Sequence, residues 1–136
     1  MSKRTPTKVL VCGGRTWGDA YPIIRELGAL VREHPTLKYC IHGDAPGADT
    51  LADGIADMFG LKIRPVPAHW KHTADCVPDC KEVVGKAAGP IRNKKMLDMR
   101  PDIVLAFHKD FDNSKGTRHM VALARVAHIK TRVFDS

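Results

Sequence analysis

The apolar positions of this chain fall into short unbroken runs, separated by longer stretches in which they recur every three or four residues. Lys8 to Cys12 reads Lys-Val-Leu-Val-Cys, a β-branched run without polar alternation, and predicts a buried strand. It opens onto Gly13-Gly14-Arg15-Thr16-Trp17-Gly18-Asp19. Ile23, Ile24, Leu27, Leu30 and Val31 then mark a helix that stops near His34-Pro35. Leu37 to Ile41 predicts a second strand, and Leu51, Ala52, Ile55, Ala56 and Phe59 a helix ending near Gly60. Leu61 to Val66 is a third strand, closed by Pro65 and Pro67, and residues 68–89 are less regular. A helix is expected from about Pro90, which suits a first turn, through Met96 and Leu97. Asp102 to Phe107 is a fourth strand, Gly116 to Ala127 a helix, and Thr131 to Phe134 a fifth strand. Strands alternating with helices imply a three-layer α/β sandwich around a mainly parallel sheet. Ligands of such folds bind beyond the carboxyl ends of the strands, where the strand order reverses.

The loops expected at that edge carry the candidate chemistry. Tyr39 to Asp49 reads as the end of a buried strand, a glycine-rich turn and the first turn of a helix. Such a junction points backbone N–H groups and the positive end of a helix dipole above the strand, which favours an anion such as phosphate. The plainer alternative is a tight turn with Asp49 near a helix start, a place that Asp favours anyway. Two similar junctions strengthen the anion reading: Gly13-Gly14-Arg15 and Asn113-Ser114-Lys115-Gly116-Thr117. Neither is a standard fingerprint. The first lacks the Gly-x-Gly-x-x-Gly spacing of dinucleotide loops, and the second is not a Gly-x-x-x-x-Gly-Lys-[Ser/Thr] loop. Arg92 and Asn93 fall in the first turn of the helix near Pro90, where the dipole disfavours a bare cation, so Arg92 calls for a ligand or a carboxylate. Lys94 and Lys95 read as a solvated helix face.

Composition narrows the partners. The 136 residues suggest one domain, 1–136, with 43% hydrophobic and 27% charged residues, ordinary values for a soluble globular chain. No apolar run approaches the roughly 20 residues of a membrane span, and no signal peptide is seen, so no membrane partner is expected and the cytoplasm is the default. Net charge is 22 − 15 = +7, which suits phosphate-bearing partners. The basic residues are spread along the chain rather than bunched, and aromatics are only 6%, which argues against nucleic acid held on base-stacking platforms.

Taken in order, Gly13-Gly14-Arg15 with Asp19, Gly43 through Asp49, Ala68 with Trp70, Ala87 through Asn93 with Met96, Asp102 through Phe107, and Ser114-x-Gly116-Thr117 with Met120 resemble the YspA-like branch of the SLOG superfamily. That superfamily also includes the LOG phosphoribohydrolases, the DNA-processing protein DprA and nucleotide-sensing domains of bacterial and phage-defence systems. The resemblance spans nearly the whole chain. It implies a Rossmann-like sheet of about five strands, a bacterial or phage source, a homo-oligomer, and a nucleotide or nucleotide-derived small molecule held by the glycine loops. The ligand-binding residues it implies are Gly13, Gly14, Arg15, Asp19, Gly43, Asp44, Gly47, Ala48, Asp49, Trp70, Arg92, Asn93, Ser114, Gly116 and Thr117.

Two departures from the superfamily bear on chemistry. LOG enzymes carry Pro-Gly-Gly-x-Gly-Thr-x-x-Glu, with an Arg preceding a Met on an earlier helix. Arg92 and Met96 match the latter and Gly116-Thr117 the former, but the place of the catalytic Glu holds Met120. A thioether neither handles a proton nor stabilises an oxocarbenium-like centre. The sequence therefore favours a binding or sensing module, with a hydrolase of N-glycosidic or phosphate bonds as the alternative and nucleic-acid binding as a weaker one. The second departure is an insertion at about 72–84, which supplies His72, Cys76 and Cys80, with His69 just upstream. Imidazole plus thiolate suits tetrahedral zinc, although Cys76-x-x-x-Cys80 is not the commoner Cys-x-x-Cys knuckle. Two surface thiols, or a disulfide, are the other readings. Cys12 and Cys40 read as small core residues.

Overall fold

The computed structural model describes residues 5–70 and 85–136. In chain order it contains β1 (Lys8–Gly13), α1 (Ala20–Glu33), β2 (Tyr39–His42), α2 (Ala48–Met58), β3 (Lys62–Pro65), α3 (Ala88–Asp98), β4 (Ile103–Phe107), α4 (Gly116–Val126) and β5 (Lys130–Phe134). Every strand pairing is parallel, in the order β3-β2-β1-β4-β5. This is the expected Rossmann-like α/β architecture.

The two faces of the sheet are covered by different helices. Val9, Val11, Cys40, Ile103, Leu105 and Phe107 pack with Ile23, Leu27 and Leu30 of α1 and Ala52, Ile55 and Ala56 of α2. The alternate residues Leu10, Cys12, Ile41, Val104 and Ala106 pack with Met96 of α3 and Met120, Val121 and Ala124 of α4. Burial on both faces explains why β1 and β4 read as continuous apolar runs. The outer strands β3 and β5 are half-exposed and correspondingly polar.

Local chemistry sets the element ends. Asp19 caps α1 by accepting the Tyr21 N–H at 3.1 Å, a role Asp fills well. Pro90 lies in the first turn of α3, which starts two residues earlier at Ala88, and its missing N–H costs nothing there. At the amino end of the sheet, Oδ2 of Asp102 accepts the N–H groups of Thr7 and Lys8 at 2.8 and 3.0 Å, fixing β1 beside β4. The strand order reverses between β1 and β4, so their carboxyl ends, Gly13 and Phe107, mark the expected ligand position. No helix among the described residues is long and apolar enough to cross a membrane.

Candidate functional site

A cavity of about 520 Å³ opens at that reversal point, within the range of small-molecule sites. Backbone packing builds its floor. Gly14 donates its N–H to the Phe107 carbonyl at 2.9 Å, and its own carbonyl accepts from Trp17 and Ala48, each at 3.2 Å. A Cβ on Gly13 would strike the Phe107 carbonyl and lie 2.7 Å from the Ala48 Cβ. Gly47 has φ +82°, and a Cβ there would meet the Gly14 carbonyl and the Arg15 backbone. Glycine is therefore required where these two loops pass against each other.

The second loop is held by side chains beneath it. Oδ2 of Asp49 accepts the N–H groups of Gly43 at 2.9 Å and Ala45 at 3.3 Å. Burial pushes the Asp49 carboxyl above the usual carboxylate range, opposed by His42, Arg92 and these two N–H groups. His42 is itself buried: Nδ1 accepts the Asp44 N–H at 2.9 Å and Nε2 lies 2.8 Å from Asp53 Oδ2. Arg92 reaches in from α3, donating from Nη1 to the Gly43 carbonyl at 2.6 Å and from Nε to Asn93 Oδ1 at 3.0 Å. Burial lowers its pKa, Asp49 opposes that, and Arg15 reinforces it.

The amino end of α4 forms the opposite wall. Lys115 occupies its cap position, and its own side chain makes no capping hydrogen bond. Ser114 Oγ donates to the Phe111 carbonyl at 2.8 Å and accepts the Arg118 N–H at 3.3 Å, so its hydroxyl is used within the turn. The Thr117 hydroxyl makes no hydrogen bond among the described residues, although the residue is only 6% exposed and lines the cavity. At the mouth, the Arg15 guanidinium sits 5.3 Å from the Trp70 ring centroid, and Trp70 is 45% exposed. The Gly85 N–H donates to the Trp70 carbonyl at 2.9 Å.

The structure brings most of the expected residues together. Gly13, Gly14, Arg15, Asp49, Trp70, Arg92, Asn93, Ser114, Gly116 and Thr117 all line the cavity. Gly43, Asp44, Gly47 and Ala48 are not in its lining and instead shape the loop behind it. Asp19 is spatially a helix cap. Sequence reading missed Lys86, Lys115, His108 and His119, which also line the cavity. His108 directly follows β4, a position that the strand-end rule could have flagged. Met120 is fully buried on the cavity wall. Cys12 and Cys40 are buried, as expected; burial raises both thiols, Cys40 to about 12. Among the described residues no His, Cys, Asp and Glu cluster is placed to hold a metal. Of the suggested zinc ligands, His72, Cys76 and Cys80 lie outside the described residues.

Fold and site define a Rossmann-like α/β protein with a glycine-loop cavity at the carboxyl edge of its sheet, and comparison with known proteins gives the family. Residues 7–72 match the family described as YspA, cpYpsA-related SLOG. The Gene 61 protein of Mycobacterium phage D29 is 34% identical over 125 residues, covering 90% of this chain and 91% of that protein. This chain belongs to the YspA, cpYpsA-related SLOG family. A Listeria monocytogenes UDP-N-acetylglucosamine--N-acetylmuramyl-(pentapeptide) pyrophosphoryl-undecaprenol N-acetylglucosamine transferase is 26% identical over 99 residues, 72% of this chain but 26% of that protein. The X-ray structure of DNA processing protein A from Streptococcus pneumoniae superposes with a TM-score of 0.70 at 19% identity, over 94% of this chain and 50% of that one. The likeness to that protein is one of fold, and the chain spans half its length.

Proposed function

We propose that this chain captures or senses a nucleotide or nucleotide-derived small molecule in the cavity at the carboxyl edge of its sheet. One observation carries the reading: the charge of the lining. Among the described residues, Arg15, Lys86, Arg92 and Lys115 face a single lining carboxylate, Asp49, which already accepts two backbone N–H groups. Together with the amino end of α4, whose cap residue Lys115 makes no side-chain hydrogen bond to the helix, this is a site for an anion. Trp70 beside Arg15 adds an aromatic face suited to a base. The family's nucleotide-related character agrees with that chemistry.

The same lining favours binding over hydrolysis. Met120 stands where LOG enzymes carry their glutamate, and cradling a phosphate holds ground state and transition state alike. The protein is expected to act in the cytoplasm as a homo-oligomer, which light scattering at high micromolar concentration checks. The main test is calorimetry of the wild type with nucleoside monophosphates, diphosphates and cyclic nucleotides, followed by chromatography after long incubation. Binding without turnover is expected. Release of base or phosphate that disappears in both Arg92→Ala and Asp49→Ala overturns the binding reading in favour of a hydrolase.

A further inference from the structure

Two histidines in the cavity have their ring tautomers set by neighbours, and the consequence is chemical. Arg92 can only donate, so the Asn93 oxygen that accepts its Nε at 3.0 Å fixes the orientation of the Asn93 amide. The Asn93 nitrogen then donates to the Gly116 carbonyl at 3.2 Å, a group that can only accept. The same nitrogen lies 3.1 Å from Nδ1 of His119, so Nδ1 must be an acceptor. In the neutral ring the proton therefore sits on Nε2. His108 reaches the same state independently, because its Nδ1 accepts the backbone N–H of Asp110 at 2.9 Å. Neither Nε2 has a hydrogen-bond partner among the described residues, and both histidines line the cavity. The ring of His108 lies over the Gly13-Gly14 turn, its Nε2 3.4 Å from where a Gly14 Cβ would be.

We infer that His108 and His119 are ligand-binding residues that present neutral Nε2–H donors to phosphate oxygens of the bound nucleotide. The inference rests on the anion reading of the cavity and sharpens it. A ring whose Nδ1 is held as an acceptor offers only N–H from its other nitrogen, so it meets an acceptor-rich group. Phosphate oxygens are acceptors without donors of their own once ionised. Arg15, Lys86, Arg92 and Lys115 supply charge to the same cavity, while the two rings supply direction without further cation crowding.

Amide substitutions separate this role from a structural one. Glutamine can place a nitrogen donor near the Nε2 position, whereas asparagine can place an acceptor near Nδ1 and leaves the Nε2 position empty. His108→Gln, His108→Asn, His119→Gln and His119→Asn are compared with the wild type by calorimetry with AMP, ADP, cyclic AMP and pyrophosphate. The buffer is held near about pH 8, above the ordinary histidine range, and thermal melting confirms folding. Each Asn variant is expected to bind about tenfold or more weakly while melting like the wild type, with each Gln variant closer to the wild type. Nitrogen-15 NMR of the unliganded wild type should show both rings as Nε2–H tautomers. Asn variants that bind as tightly as the wild type, or rings found as Nδ1–H tautomers, overturn the inference and leave the nucleotide reading standing. A wild type that binds none of the four probes overturns both.

Discussion

Oδ2 of Asp49 accepts the N–H of Gly43 at 2.9 Å, so a buried carboxylate at the start of α2 closes the loop that leads into its own helix. Asp49→Ala leaves the Gly43 and Ala45 N–H groups without that acceptor and should destabilise by about 1–3 kcal/mol. Asp49→Asn keeps an oxygen there and should cost less. Urea unfolding of the three proteins measures the difference.

The same residue gives a signed pH dependence. Its folded pKa is raised above the ordinary aspartate value, chiefly by burial. The folded state therefore binds the proton more tightly, and the resulting stability is fully present below the unfolded value and lost as pH rises through the raised folded value. Relative to Asp49→Asn, the wild type should gain stability as pH falls across that window. Parallel unfolding curves for the two proteins across it would contradict the assignment.

Gly47→Ala should be among the most damaging single-methyl changes in the chain. Its φ of +82° is unfavourable for alanine, and the added Cβ overlaps the Gly14 carbonyl and the Arg15 backbone. Conformational strain alone is worth about 1–3 kcal/mol. Thermal melting should show a marked drop, whereas Gly54→Ala, on open helix surface with nothing near its Cβ, should stabilise slightly.

Arg92→Lys should not replace Arg92 in ligand binding. The guanidinium donates to Gly43 and Asn93 from two different nitrogens, a fork that an ammonium does not reproduce. Both Arg92→Lys and Arg92→Ala should weaken nucleotide binding, by about tenfold or more for the alanine. Unchanged calorimetric affinity would remove Arg92 from the site.

Trp70→Ala should separate the ends of the ligand. Stacking on an aromatic ring is worth about 1–3 kcal/mol per base, so AMP affinity should fall while pyrophosphate affinity stays close to that of the wild type. Equal losses for both probes would show that Trp70 positions Arg15 rather than a base.

Much of this was legible because backbone constraints leave marks in sequence. β1 and β4 are buried on both faces and so spell continuous apolar runs, and Gly13 and Gly47 lie where two loops touch. Asp19 caps α1 and lies outside the cavity lining, and capping a helix and holding a ligand ask for the same short polar side chain. Asn93 lines the cavity as expected, but its amide is engaged by Arg92, Gly116 and His119. His119 stayed hidden because its role depends on which ring nitrogen is occupied. That is decided by neighbours such as Asn93, 26 positions from His119.

The polarity of the outer strands has a consequence for how copies of this chain meet. Lys62 and Arg64 stand exposed on β3, and Lys130 and Arg132 on β5, so both rims of the sheet are studded with cations. A rim-to-rim encounter sets like charge against like, a guard against one sheet growing into the next. Any self-association is thereby steered away from strand addition and towards the helical faces, where the two layers present their outer surfaces.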